Sequence, residues 1–144
     1  MRMRVVLDTN VLLMSFGNPN SYLDNLLRQA VEQKAVRLYI SSEIIAEYER
    51  ILEYKFLIPR ATVIKLVNVV KNIAIGVEPP NRLPKGTLND KDDIKILECA
   101  LEAKAHIIVS ADKELIKLKE FGDVKIVHPS MLKYWFGSNA PPKQ

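Results

Sequence analysis

Five short apolar runs separated by amphipathic stretches constrain this chain more than any other feature. The runs are RVVLD (residues 4–8), VRLYI (36–40), NIAIGVEP (72–79), AHIIVS (105–110) and DVKIV (123–127). Between them lie YLDNLLRQAVEQK (22–34), SSEIIAEYERILEYKF (41–56), RATVIKLVNVVKNI (60–73), DKDDIKILECALEAK (90–104), KELIKLKEF (113–121) and SMLKYWF (130–136). The runs have strand character and the stretches have helical periodicity. Ser41 or Ser42 is placed to cap the second helix, and Asn89 or Asp90 the fourth. Pro59 separates two helices, because proline is accepted in a first turn and not in a helix interior. Strands alternating with helices predict a three-layer α/β/α fold, with a central parallel sheet of about five strands covered on both faces. NRLPKGTLND (81–90) reads as a loop and GSNAPPKQ (137–144) as a disordered tail, which leaves one domain over residues 1–136.

At 144 residues the chain can bury a core without disulfide or structural metal. Its single cysteine, Cys99, excludes an internal disulfide and gives no support for a Cys-based zinc site; it reads as a packing residue. His106 and His128 lie at strand ends without ligand spacing, and Tyr134, Trp135 and Phe136 read as core or dimer contacts. The first apolar run is broken by Asp8, so it is no signal peptide, and no run approaches the roughly 20 residues a membrane helix needs. A cytoplasmic location is the expectation. Neither a phosphate-binding glycine loop nor a dinucleotide fingerprint is present.

Asp8 poses the functional question. It closes the most apolar stretch of the N-terminus, and an ionised carboxylate is seldom left unpaired in such a place. In an open α/β sheet, ligands bind beyond the carboxyl ends of the strands. Asp8 follows the first strand, Glu47 lies early in the helix after the second, and Asp112 follows the fourth by a short turn. On a helical wheel of about 100° per residue, with Ile94 at zero, the apolar arc of the fourth helix centres near 270°. Asp93 falls near 260°, inside it, and Asp92 near 160°, outside it. The wheel of the earlier helix does not separate Glu47 from Glu49, and Glu43 lies further off. Only proximity to the helix start favours Glu47.

Two carboxylates about 5 Å apart repel by roughly 3 kcal/mol at an effective dielectric of 20, and four repel several times more strongly. No Lys or Arg is placed by sequence to neutralise them all, whereas a divalent cation would. Oxygen-only ligands suit Mg²⁺ or Mn²⁺. Such ions stabilise charge on phosphate oxygens and make bound water more acidic. With no His, Ser or Lys base pattern nearby, metal-activated water is the simplest chemistry. Of 17 acidic residues, setting these four aside leaves 13 against 21 basic ones, a remainder of +8 that suits a polyanionic substrate. Arg50, Lys91 and Lys113 fall near the rim, either as solvated charges or as phosphate contacts.

The segments LDTNVLL, SSEIIAEY and NDKDDIKILECALEAKAHIIVSAD together resemble the PIN (PilT N-terminal) domain family, over residues 5–135. The similarity extends to stand-alone PIN ribonuclease toxins of toxin–antitoxin pairs. It implies a Mg²⁺- or Mn²⁺-dependent endoribonuclease whose acids are Asp8, Glu47, Asp93 and Asp112. It implies that Thr9, Asn10 and Ser110 orient those acids and that Asp92 is an additional acid beside the third. It further implies an RNA substrate, a small antitoxin partner and a homodimer. The alternative from another class is a catalytically silent PIN-fold module binding RNA or protein, which predicts missing acids. A haloacid-dehalogenase-type phosphatase would need an aspartate where Asn10 stands.

Overall fold

The computed structural model describes residues 2–80 and 91–136. Strand β1 (Met3–Leu7) runs into helix α1 (Thr9–Met14) and then α2 (Tyr22–Glu32). Strand β2 (Val36–Ser41) is followed by α3 (Ser42–Arg50), which continues as a π-helical turn (Ile51–Lys55). Helix α4 (Arg60–Ile73) leads to β3 (Ala74–Val77). Helix α5 (Lys91–Ala103) precedes β4 (Ile107–Val109), α6 (Lys113–Leu118), β5 (Glu120–Phe121), β6 (Val124–Val127) and a 3₁₀ turn (Pro129–Met131) opening α7 (Leu132–Phe136).

The sheet order is β3-β2-β1-β4-β6-β5. β1 is parallel to β2 on one side, with Val5 opposite Leu38, and to β4 on the other, with Val6 opposite Ile108. The expected α/β architecture holds: a mostly parallel sheet with helices on both sides. The reason is visible in the burial. Val5, Val6, Leu7 and all of β4 are buried without alternation, as strands must be when both sheet faces are covered. Cys99 packs in this core, where burial pushes its thiol up to about 12. His128 accepts from the Ser130 N–H at 3.0 Å as the cap of the 3₁₀ turn, and His106 accepts from the Arg4 N–H at 2.9 Å.

Several boundaries differ from the sequence expectation. The helix expected over 113–121 stops at Leu118, because Lys119 takes φ 62° and ends the helical path. Glu120–Phe121 instead pairs antiparallel to β6 as a sixth, edge strand. Gly122 turns that hairpin with φ 60°, the conformation a type II′ turn asks of its first central residue. A Cβ there would meet nothing within 4 Å, so only the backbone conformation opposes substitution. Gly122→Ala is expected to cost about 1 kcal/mol, read as a lower midpoint in urea unfolding with unchanged slope. Leu101, assigned by the wheel to the apolar arc, is 41% exposed, because the cover over α5 spans residues 93–100 and ends there on that side. The expected loop 81–90, its cap candidates Asn89 and Asp90, and the expected tail 137–144 lie outside the described residues.

Candidate cation site

The chain builds β1, β2 and β3 outward in one direction and then crosses to place β4 on the other side of β1. The carboxyl ends of β1 and β4 therefore flank the point where the strand order reverses, the place at which open α/β sheets bind ligands. Asp8 is the first residue beyond β1. Its N–H donates to the Val109 carbonyl at 2.9 Å, which fixes it against the end of β4. It also caps α1: Oδ1 accepts from the Thr9 N–H at 2.7 Å. Oδ2 accepts from the Ser110 hydroxyl at 2.6 Å and from Asn10 Nδ2 at 3.2 Å.

The supporting side chains tie the two strand ends together. Asn10 Oδ1 accepts from the Ala111 N–H at 3.2 Å, and Ser110 Oγ accepts from the Asp112 N–H at 2.9 Å. Asp112 in turn caps α6 by accepting from the Glu114 N–H at 2.9 Å. Asp93 enters from the first turn of α5 and is 4% exposed. The structure brings these three aspartates together: one carboxylate oxygen from each of Asp8, Asp93 and Asp112 lies within 4.8 Å of the others.

Glu47 stands beside this group and outside it. It is buried on α3, and its Oε1 accepts the Thr9 hydroxyl at 2.6 Å and faces Lys95 Nζ at 2.9 Å. The structure separates it from the other glutamates that the wheel left open. Glu43 is exposed, and Glu49 is paired outward with Arg60 at 2.6 Å. Lys95 is the residue sequence reasoning missed. The wheel sets it near 100°, opposite the apolar arc, where a lysine reads as solvated. Packing of α3 against α5 buries it instead, leaving 8% exposed. Arg50 lines an open groove of about 420 Å³ with Glu49, Glu53, Tyr54 and Arg60, and Lys113 is exposed at the start of α6. The side chains of Lys91 and Asp92 lie outside the described residues.

The charge balance distinguishes Asp8 from an ordinary buried acid. Asp24, also buried, is paired with Arg28 at 2.7 Å and accepts from the Asn20 N–H. Among the described residues, the donors to the Asp8 carboxylate are the neutral Thr9 N–H, Asn10 amide and Ser110 hydroxyl. Burial pushes its carboxyl up to about 6; the Ser110 and Thr9 hydrogen bonds work against that rise, and the charges of Asp112 and Glu47 add to it. A desolvated carboxylate beside two further aspartates, with all-oxygen donors, fits a hard divalent cation such as Mg²⁺ or Mn²⁺. Thr9 joins the group to Glu47 through its hydroxyl. Thr9→Val, which keeps the shape and loses that bond, is expected to weaken Mn²⁺ binding about tenfold in calorimetric titration.

Comparison with known proteins gives three findings. The family model described as PIN domain matches residues 4–114. An uncharacterized protein of Methanocaldococcus jannaschii, MJ1680, is 29% identical over 127 residues, covering 83% of this chain and 77% of its own length. The crystal structure of VapBC2 from Rickettsia felis, bound to a DNA fragment from their promoter, superposes with a TM-score of 0.60 at 19% identity. It covers 88% of this chain and 98% of its own, and at that identity it speaks to the fold.

Proposed function

This chain belongs to the PIN domain family, and from that premise we propose that it is a metal-dependent endoribonuclease, the toxin of a toxin–antitoxin pair. PIN domains are generally nucleases. One observation carries the reading for this chain: the convergence of buried Asp8 and Asp93 with half-buried Asp112 at the reversal point of the sheet. An Mg²⁺ or Mn²⁺ ion held there would supply positive charge for phosphate oxygens and acidify water. Asp8, Asp93 and Asp112 are the residues that would hold the ion. Ser110, Asn10 and the Thr9 N–H fix the Asp8 carboxylate, so that its oxygens do not reorient when substrate arrives. Glu47, held by Thr9 and paired with Lys95, stands beside the group. Exposed Arg50 and Lys113, with Lys91 and Asp92, complete the proposed rim.

The basic remainder of the chain supports a polyanionic substrate, and the fold shared with VapBC2 supports a small antitoxin partner. No helix among the described residues is long and apolar enough to cross a membrane. A cytoplasmic homodimer with one catalytic domain over residues 1–136 is the working assembly. A catalytically silent module would be expected to lack acids, and this chain retains all four. The test is incubation of the full chain with single-stranded RNA in Mg²⁺, Mn²⁺ or EDTA, followed by sequencing of the new ends. Cleavage that needs the metal is expected; equal cleavage in EDTA, or none in either metal, would overturn the reading.

A further inference from the structure

Lys95 has no part in the chemistry just described, yet it is buried in the middle of it. A lysine held in one place loses much side-chain entropy and its hydration, and only a well-made ion pair compensates. Here the pair is with Glu47 Oε1 at 2.9 Å. The same oxygen takes the Thr9 hydroxyl at 2.6 Å, and Thr9 gives its N–H to Asp8 at 2.7 Å. Ammonium, glutamate, threonine and the first aspartate thus form one continuous chain of contacts from α5 across α3 to the end of β1.

We propose that Lys95 is a built-in counter-ion occupying the place a second divalent cation would take, so that the site binds one dication on Asp8, Asp93 and Asp112, with Glu47 as a positioning residue. This rests on the nuclease reading of the same site. Two observations carry it. Glu47 falls outside the group of oxygens that lie within 4.8 Å of one another. Its Oε1 is already filled by an ammonium and a hydroxyl, and an ammonium and a dication sharing one carboxylate oxygen repel at contact distance. Lys95 therefore does two things: it neutralises the fourth acid, and it holds Glu47 where Thr9, and through Thr9 the Asp8 carboxylate, keep their orientation.

Mn²⁺ titration calorimetry on the full chain tests this, with Lys95→Met and Lys95→Arg alongside. The wild-type chain and Lys95→Arg are expected to bind one equivalent. Lys95→Met, which keeps the apolar stem and loses the ammonium, is expected to bind a second equivalent and to need about tenfold more Mn²⁺ for half-maximal cleavage. Two equivalents in the wild-type chain, or one equivalent with unchanged Mn²⁺ dependence in Lys95→Met, would overturn the proposal. If Lys95→Met does not fold by circular dichroism, the wild-type and Lys95→Arg stoichiometries decide, two equivalents in either counting against it. The parent reading fails separately: a chain that binds one Mn²⁺ yet cleaves no RNA is no nuclease but keeps this cation arrangement, and one that cleaves RNA while binding two loses only the role given to Lys95.

Discussion

Asp8→Asn is expected to reduce metal-dependent RNA cleavage by about a thousandfold at saturating Mn²⁺, equivalent to about 4 kcal/mol of transition-state stabilisation. The substitution preserves the shape and the capping bond from the Thr9 N–H, so the fold should survive. What it removes is the charge of the carboxylate that sits against both strand ends and within reach of Asp93 and Asp112, together with the bonds that Oδ2 accepts from Ser110 and Asn10. Initial rates on a single-stranded RNA, with circular dichroism as the folding control, are the measurement. A variant that keeps more than about a tenth of the wild-type rate would show that cleavage does not run through this group.

The second large effect is on stability. The Asp8 carboxyl is raised from 3.8 to about 6, chiefly by burial. A raised folded-state value means that Asp8 contributes stability fully below about pH 3.8, and that this contribution is lost as pH climbs through about 6. The gap corresponds to about 3 kcal/mol. Metal-free wild-type protein is therefore expected to lose about 3 kcal/mol relative to Asp8→Asn between about pH 3 and pH 7, measured by urea unfolding at each pH. The comparison with the variant isolates Asp8 from the other carboxylates. Adding Mn²⁺ at about a hundred times its dissociation constant should return about 2.7 kcal/mol to the wild-type chain at pH 7 and far less to the variant. A wild-type chain whose stability relative to Asp8→Asn does not change with pH, or does not respond to Mn²⁺, would contradict both the buried-charge account and the cation site.

The two effects have one cause. On the proposed reading, acids that hold a cation destabilise the fold until the cation arrives, because among the described residues the hydrogen bonds to the Asp8 carboxylate come from the neutral donors Thr9, Asn10 and Ser110. Asp24 shows the opposite solution, an acid equally buried but permanently paired with Arg28. Structural and functional burial of a carboxylate are separable here by what stands opposite it.

Much of this was legible in the residues. The alternation of apolar runs and amphipathic stretches set the α/β class, because strands covered on both faces must be apolar throughout. Asp8 and Asp112 were visible because each interrupts or closes an apolar run at the end where such sheets bind ligands. Asp93 was visible because a helical wheel places it on the covered side, and it is buried there. The order β3-β2-β1-β4-β6-β5 was not visible, since periodicity says which segments are strands and nothing about their neighbours. Nor was the short edge strand Glu120–Phe121, whose existence depends on a turn at Gly122 and on the partner strand it meets.

The sequence by itself determined the α/β class and the strand-end or covered-face positions of Asp8, Asp93 and Asp112, because hydrophobic period and strand-end position are local properties. Only the tertiary structure decided that Glu47 is buried beside the aspartate group and paired with Lys95, while Glu43 is exposed and Glu49 pairs with Arg60. A wheel scores a lysine by its own polarity and sends it to solvent. Whether it is instead buried against a carboxylate depends on a second helix packing over it, and that is a property of the assembled chain.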